Sequence, residues 1–596
     1  MTSLPTTGAP TRRAQPRARR RTGAGAVIEG LKAEGAELVF GMTGGAIMPV
    51  YDALFQDGSL RHIIVGHEQG GAHMAEGYAR VTGKPGVVLT TSGPGATNLV
   101  TGLADASMDS TPLIALTGQV PTSMIGNDAF QESDVRGITM PVTKHNYLLK
   151  RADEVPRAMA EAFHLAQTGR PGPVLIDLPK DVTKTDTDAA HPDRVEMAGY
   201  KPPYEGHPKQ IRQALDVLKS AERPVILAGG GVLHAEASDE LREFAEDLQI
   251  PVISTLMGLG NFPMDSDLSL GMPGMHGMGA AIMAIYHSDV LLCVGTRLDD
   301  RITGKLDEFA PHARLIHVDI DASEIGKNVP AVVPIVGHAK PVLRELSCGA
   351  RAWESKPDWA PWRRQLGAWK REYPLHYDEK SNTIMPQQVV EAVDDALDDD
   401  AIVSSGVGQH QMWAAQYYTF RKPRTWLTSG GLGTMGYGFP AAIGAKLAKP
   451  DVPVVCIDGD GSFLMTMQEL VTAVRYRVPV VQVIVNNVYL GMVRQWQQLF
   501  FDRRYAESAM QPPQYDTIAQ SFGALGRRVE RPEDLASSVQ WAVREAEAQQ
   551  LPVVLDVIVD VEECVYPMVP AGQANVDFLA GPEGIPDGQA RRRAVA

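Results

Sequence analysis

Residues 454–496 read VVCIDGDGSFLMTMQELVTAVRYRVPVVQVIVNNVYLGMVRQW. The stretch opens with an apolar run, 454–457, and closes with another, 478–485, each of the length and β-branched content of a buried strand. Between them Phe463, Met467, Leu470 and Val474 recur at helical spacing, so the unit reads as strand, helix, strand. Such a unit forces the two strands to lie parallel, with their carboxyl ends on the side where open α/β sheets bind ligands. The residues placed there are Gly459-Asp460-Gly461 and Asn486-Asn487. Asp460 and Asn487 offer hard oxygen donors that suit Mg²⁺, an ion that takes its remaining ligands from phosphates and water. Gly459 and Gly461 let backbone approach a phosphate closely, and a helix expected to start near Ser462 points its free N–H groups at the same place. The stretch therefore reads as a Mg²⁺-diphosphate clamp.

Gly-Asp-Gly alone is a common turn. What makes it specific is the Asn-Asn pair, whose Asn487 follows Asp460 by 27 positions at the adjacent strand end. This combination resembles the thiamine diphosphate fingerprint, and the continuation Tyr489-Leu490-Gly491-Met492-Val493-Arg494-Gln495-Trp496 is similar to the acetohydroxyacid (acetolactate) synthase family. The resemblance covers about residues 23–573. It implies a chain built of three doubly wound α/β domains, with Tyr489 joining Asp460 and Asn487 at the metal. It further implies an enzyme that decarboxylates pyruvate on thiamine diphosphate and transfers the hydroxyethyl unit to pyruvate or 2-ketobutyrate, the first common step of branched-chain amino acid synthesis. Two rival readings are a flavin-dependent pyruvate oxidase on the same architecture and a catalytically silent regulatory relative.

The 596 residues exceed what one hydrophobic core organises. Hydrophobic residues at 44% and charged residues at 21% are those of a globular protein, and the net charge of −15 argues against general nucleic-acid binding. No apolar run reaches the length of a membrane span. The four cysteines lack metal or redox spacing and read as reduced thiols of a cytoplasmic protein. Residues 1–22 are Thr, Pro, Ala and Arg with almost no large apolar side chain, which predicts a disordered extension. Its Arg-rich, acid-free character is shared with organelle transit peptides, but it is short for one, and a bacterial leader extension is the expectation.

The first domain is expected over 23–182, where apolar runs alternate with helical patterns and glycine corners follow the strands. Glu68 stands at a strand end and a helix start together, a placement that by itself suits the helix dipole. Through the resemblance, VGHEQGGAHMAEGYAR carries the family's cofactor-activating glutamate, Glu68. Such a carboxyl group holds a proton near neutral pH, which apolar burial favours. Glu68 and the clamp lie on different domains and have to meet across an interface. In the family that interface joins two subunits, so a homodimer or tetramer with active sites between chains is implied, as is a separate regulatory small subunit. The polar, glycine-punctuated stretch 121–136 reads as a functional loop. The resemblance assigns Phe130 to the substrate site and Gln131 to catalysis, together with Lys180, and makes Arg170 a flavin contact.

A linker is expected over 183–208 and a middle domain over 209–346. There Gly229-Gly230-Gly231 follows one strand, Gly295-Thr296-Arg297 a second and Asp319-Ile320-Asp321 a third. Glycines after a first strand and acids at a later strand end suit a dinucleotide. TLMGLG (255–260), PGMHG (273–277) and GTRLDDRITGK (295–305) are similar to the family's FAD segments. They imply flavin contacts at Thr255, Leu256, Met275, His276, Gly295, Arg297, Asp299, Asp319 and Ile320. One departure is His338, which stands where relatives often carry an Asp. A surface helical connector is expected over 347–384, a diphosphate-binding domain over 385–570 and a tail over 571–596. In the last domain the resemblance places Val407, Gly408, Gln409 and His410 near the diphosphate, with Gly459, Gly461 and Ser462. It places Gly433, Thr434, Met435 and Met492 against the rest of the thiamine cofactor. Met492, Val493 and Trp496 fall on one face of a helix just beyond the metal site, and the family puts them in the substrate channel.

Overall fold

The computed structural model describes residues 21–380 and 382–582. The extension expected over residues 1–20 lies outside the described residues. Arg21 and Thr22, placed in that extension by sequence, instead pair antiparallel with Asp186–Thr187. The Thr22 hydroxyl then accepts from Gly25 N (3.2 Å) and caps helix Gly23–Ala33. The expected linker accordingly begins later than position 183, because helix Lys180–Lys184 and this short pairing occupy its first residues.

Three parallel sheets of six, five and six strands form the frame. The first contains Leu38–Gly41, Arg61–Ile64, Gly86–Thr90, Leu113–Gln119, His145–Leu148 and Pro173–Pro179. The last contains Ile402–Ser405, Trp426–Leu427, Val454–Gly459, Val480–Asn486, Leu525–Val529 and Val553–Ile558. Numbered in chain order within each unit, both run 2-1-3-4-6-5; the middle sheet, from Pro224–Ala228 to Val333–Val336, runs 2-1-3-4-5. Their central strands are buried on both faces, which is why they read as continuous apolar runs rather than alternating ones. In all three sheets the strand order reverses between strands 1 and 3, and a crevice opens there at the carboxyl ends. In the last sheet that crevice lies between Ile402–Ser405 and Val454–Gly459. In the middle sheet it lies between Pro224–Ala228 and Val290–Val294.

The helical segment after Val454–Gly459 is broken where the spacing predicts one run. Helix Asp460–Leu464 gives way to a 3₁₀ turn at Met467–Glu469 and a second helix, Leu470–Arg475. The break aims Glu469 at the first domain, where its carboxylate accepts from Gly66 N (3.0 Å) and His67 N (2.9 Å). Thr466 Oγ1 meanwhile donates to Gly436 O (2.8 Å). The expected connector also differs: Trp359, Trp362 and Trp369 are buried in the middle domain, and the Trp359 and Trp362 ring N–H groups donate to Ala221 O (2.8 Å) and Pro224 O (3.2 Å). Tryptophans amid charges read as surface helix, yet here the charges lie on the outer face. The tail too is partly structural, since Val576 and Phe578 are buried in the middle domain's core.

First and last domains share one hydrophobic core. At its centre helix Glu68–Thr82 lies on helix Gly438–Ala448, each almost wholly buried. A Cβ on Gly77 would sit 2.1 Å from Ala441 O, and one on Gly444 would sit 1.9 Å from Met74 O, so the backbones touch where only glycine fits. Gly444→Ala should therefore destabilise the protein by about 1–3 kcal/mol, despite the roughly 1 kcal/mol that alanine gains in helix propensity. Gly45→Ala, with nothing within 4 Å of the new methyl, should leave the denaturation midpoint nearly unchanged.

Candidate active site

The crevice of the last sheet holds a small cavity of about 80 Å³ walled by Gly408, Gln409, His410, Gly459, Asp460, Gly461, Ser462, Asn487 and Tyr489 among others. Asp460 is 2% exposed, and its Oδ2 is buried without a hydrogen-bond partner. Burial pushes its carboxyl up to about 7, against the pull of backbone N–H groups. Asn487 lies 6% exposed, donates through Nδ2 to Gln409 Oε1 (3.1 Å) and accepts at Oδ1 from Tyr489 N (3.2 Å). His410 Nε2 stands 3.2 Å from Asp458 Oδ1, while Asp458 Oδ2 is buried without a partner. A buried carboxylate oxygen lacking a partner, beside an amide oxygen, is the donor set a hard divalent cation satisfies. The glycines matter as well, because a Cβ on Gly459 would meet the His410 ring at 2.6 Å and one on Gly461 would meet Leu490 at 2.8 Å.

A second cavity, of about 950 Å³, runs between the three domains. It lies at the upper end of the range for small-molecule sites and suits a large, elongated ligand. Its walls include Arg170, Gly230, Gly231, Thr255, Leu256, Met275, His276, Gly295, Arg297, Asp299, Asp319, Ile320 and His338. Gly229 is not among them: a Cβ there would sit 2.1 Å from Gly295 O, so this glycine serves the close packing of the two strand-end loops. Arg170 donates to Ser110 Oγ (2.9 Å), Asp321 Oδ2 (3.3 Å) and Glu324 Oε1 (2.8 Å), which fixes its guanidinium at the rim. Burial raises Asp319 to about 6 and lowers His276 to about 4, leaving the imidazole neutral near pH 7. The His338 ring packs against Tyr204 (centroids 5.6 Å apart), and both side chains line the cavity.

The two cavities share Val407, Gly408, Met435, Met492 and Val493 as walls. Helix Gly491–Phe500 supplies Met492, Val493 and Trp496 to the larger one, on the one face that their spacing predicts. Gly433, with φ of 74°, also lines it. Thr434 does not; its N donates to Ser429 Oγ (2.8 Å), and its hydroxyl is buried without a partner.

The first domain's residues form a separate group. Glu68 is 7% exposed and accepts at Oε2 from Asn98 Nδ2 (3.0 Å). It packs under Gly95, while Gln131, at φ of 60°, closes on neighbouring Gly93. Phe130 stands 88% exposed. The loop that carries Phe130 and Gln131 is tied beside Lys180, since Thr122 N donates to Asp181 Oδ1 (2.9 Å). Glu68, Phe130, Gln131 and Lys180 line neither cavity of this chain.

Three family models match, all described as thiamine pyrophosphate enzyme domains: the N-terminal TPP-binding domain over residues 21–138, the central domain over 211–346 and the C-terminal TPP-binding domain over 406–557. The acetolactate synthase large subunit of Corynebacterium glutamicum is 49% identical over 566 residues, 94% of this chain and 90% of that one. The chain belongs to the acetolactate synthase large-subunit family. The large subunit from Mycobacterium tuberculosis is 50% identical over 567 residues, 94% of this chain and 91% of that one. The isozyme 3 large subunit of Escherichia coli is 46% identical over 553 residues, 92% and 96% of the respective chains. No helix among the described residues is long and apolar enough to cross a membrane. All four cysteines are free thiols, as expected; Cys293, Cys456 and Cys564 are buried, while Cys348 is exposed.

Sequence reasoning passed over Asp458, whose signal is an acid at the end of an otherwise apolar strand. It also passed over Asp105, Asp109, Arg80 and Glu469, which only the domain packing brings to the site.

The Asp460 carboxyl, raised in the folded state, carries a prediction with a defined sign. Between about pH 4 and 7 the unfolded chain releases a proton that the metal-free folded chain retains, so stability falls as pH rises through that window. Above pH 7 the penalty is complete, at most on the order of 4 kcal/mol. Asp460→Asn should therefore raise the melting temperature of the EDTA-treated protein at pH 8. The same change should abolish the stabilisation that Mg²⁺ and thiamine pyrophosphate together give the unsubstituted chain.

Proposed function

We propose that the chain is a thiamine-pyrophosphate-, Mg²⁺- and FAD-dependent acetolactate synthase that acts as a homodimer or tetramer. It removes CO₂ from one pyruvate and joins the remaining two-carbon unit to a second pyruvate, giving acetolactate, or to 2-ketobutyrate, giving acetohydroxybutyrate. The observation that carries this reading is the adjacency of the two cavities, which share Val407, Gly408, Met435, Met492 and Val493 as walls. This supports a metal-diphosphate pocket beside a site large enough for a second cofactor and a keto acid.

Bound thiamine pyrophosphate supplies the electron sink for decarboxylation. Asp460 and Asn487, with Tyr489, would hold Mg²⁺, and Gly459, Gly461, Ser462 and the 407–410 loop would receive the diphosphate. Gly433 and Met435 support the reactive end. Glu68, oriented by Asn98, would pass a proton between its Oε1 and the cofactor's aminopyrimidine ring. Because Glu68 lies away from the clamp of its own chain, it serves the clamp of a second copy, and Phe130, Gln131 and Lys180 reach that site with it. Trp496, Met492 and Val493 form an apolar wall for the second keto acid. Pyruvate and 2-ketobutyrate differ by one methylene, a difference such a wall values at about 1–3 kcal/mol. Arg170, Gly230, Gly231, Arg297 and Asp319 would hold the flavin in the large cavity. A separate small subunit fits the large-subunit names of the relatives.

The oxidase alternative makes the opposite demand on the flavin. Purified protein given pyruvate, thiamine pyrophosphate, Mg²⁺ and FAD should form acetolactate equally well without oxygen or any electron acceptor, whereas an oxidase would need one and release acetate or acetyl phosphate. Glu68→Gln should slow turnover at least about a hundredfold, the scale of a lost acid-base group. Refolding it together with Asp460→Ala chains, themselves inactive, should restore activity through mixed dimers that hold one intact site. No recovery in well-formed mixed dimers would place both residues in one chain's site.

A further inference from the structure

The glycine-rich loop that opens with Ser429-Gly430-Gly431 forms a wall of the large cavity and runs on to Gly433 and Met435. It belongs to the last domain, yet what holds its backbone comes from the first. Asp109 accepts from two consecutive loop amides, Gly430 N at Oδ2 (2.9 Å) and Gly431 N at Oδ1 (2.7 Å). Asp105 accepts from Ser429 Oγ (2.5 Å), and Ser429 Oγ in turn accepts from Thr434 N (2.8 Å). Arg80 donates to Thr428 O and lies 3.7 Å from Asp109, supplying the counter-charge. These carboxylates are almost wholly buried, so their geometry is not diluted by water. The loop has no room for side chains at its start: a Cβ on Gly430 would meet Met257 Sδ at 2.3 Å, and one on Gly431 would meet Asp109 Oδ1 at 2.9 Å.

We propose that Asp109, backed by Arg80 and Asp105, is a positioning residue for the thiamine cofactor: it clamps the start of the Ser429–Met435 loop in the register that presents Gly433 and Met435 to the site. Asp109 also lines the large cavity, whereas Arg80 and Asp105 line neither cavity. Their action runs through the loop backbone, which ties the seating of the cofactor to the docking of the first domain on the last. The inference rests on the loop serving the thiamine cofactor, as in the proposed function.

The isosteric Asp109→Asn keeps the volume but turns one acceptor into an amide donor facing a loop N–H. Binding of thiamine pyrophosphate with Mg²⁺ to the purified protein, followed by calorimetry, should weaken tenfold or more. The cofactor concentration for half-maximal activity should rise in parallel, while the pyruvate KM stays within about twofold. A merely structural role would lower the melting temperature and leave the cofactor constants unchanged, and that result overturns the proposal. Should Asp109→Asn fail to fold, Ser429→Ala carries the test. It removes the Asp105 contact and the relay to Thr434 N, and it should shift the same two constants in the same direction, at least threefold; unchanged constants overturn the clamp. The unsubstituted chain, measured alongside, separates the outcomes: if it binds no thiamine pyrophosphate, the functional reading fails, whereas binding that both variants retain defeats the clamp alone.

Discussion

The structure depends on the backbone contact between helix Glu68–Thr82 and helix Gly438–Ala448. At Gly77 and Gly444 the two backbones approach to distances at which no Cβ fits, so the helices act as a hinge pin without play. One core then continues from the first sheet into the last. Close-packed interiors transmit displacement rather than absorb it. A shift at this contact would therefore move Glu469 away from the amides it caps, and Asp109 away from the loop it holds.

That contact also accounts for the first domain's Glu68 group lining neither cavity of its own chain. The helix bearing Glu68 is committed along its length to the last domain, and its amino end, where Glu68 sits, faces Asn98, Gly95 and Glu469. Burying a carboxylate there costs free energy unless it is partnered or used. Phe130 and Val493, one on each domain, are exposed. In one chain the group around Glu68 and the group around Asp460 and Asn487 therefore stay apart.

Polar groups are distributed according to the same logic. Some buried polar atoms are satisfied within the architecture, as with the Trp359 and Trp362 N–H groups of the middle domain. Others are buried without a partner, among them Asp460 Oδ2, Asp458 Oδ2 and Thr434 Oγ1. Asp460 lines the small cavity at the crevice where strand order reverses in the last sheet, and Asp458 lies against His410, another of its walls. Native interiors rarely tolerate such groups without a function to satisfy them.

By itself the sequence determined the three parallel sheets, because strands covered on both faces must read as apolar runs of strand length. It also brought Asp460 and Asn487 together, since they follow two adjacent strands and local chain geometry delivers both to the same sheet edge. The strand-end residues of the middle domain that line the large cavity were legible for the same reason, apart from Gly229, which packs against Gly295. The tertiary structure alone decided which charged side chains cross between domains. Asp105, Asp109 and Arg80 lie more than three hundred positions from the loop they hold, and nothing local distinguishes them from helix-surface charges. Burial of Trp359, Trp362 and Trp369 was hidden likewise, because composition reports what a helix carries but not which face another domain covers. Local spacing fixes where a side chain points from its own element; only packing fixes what stands opposite.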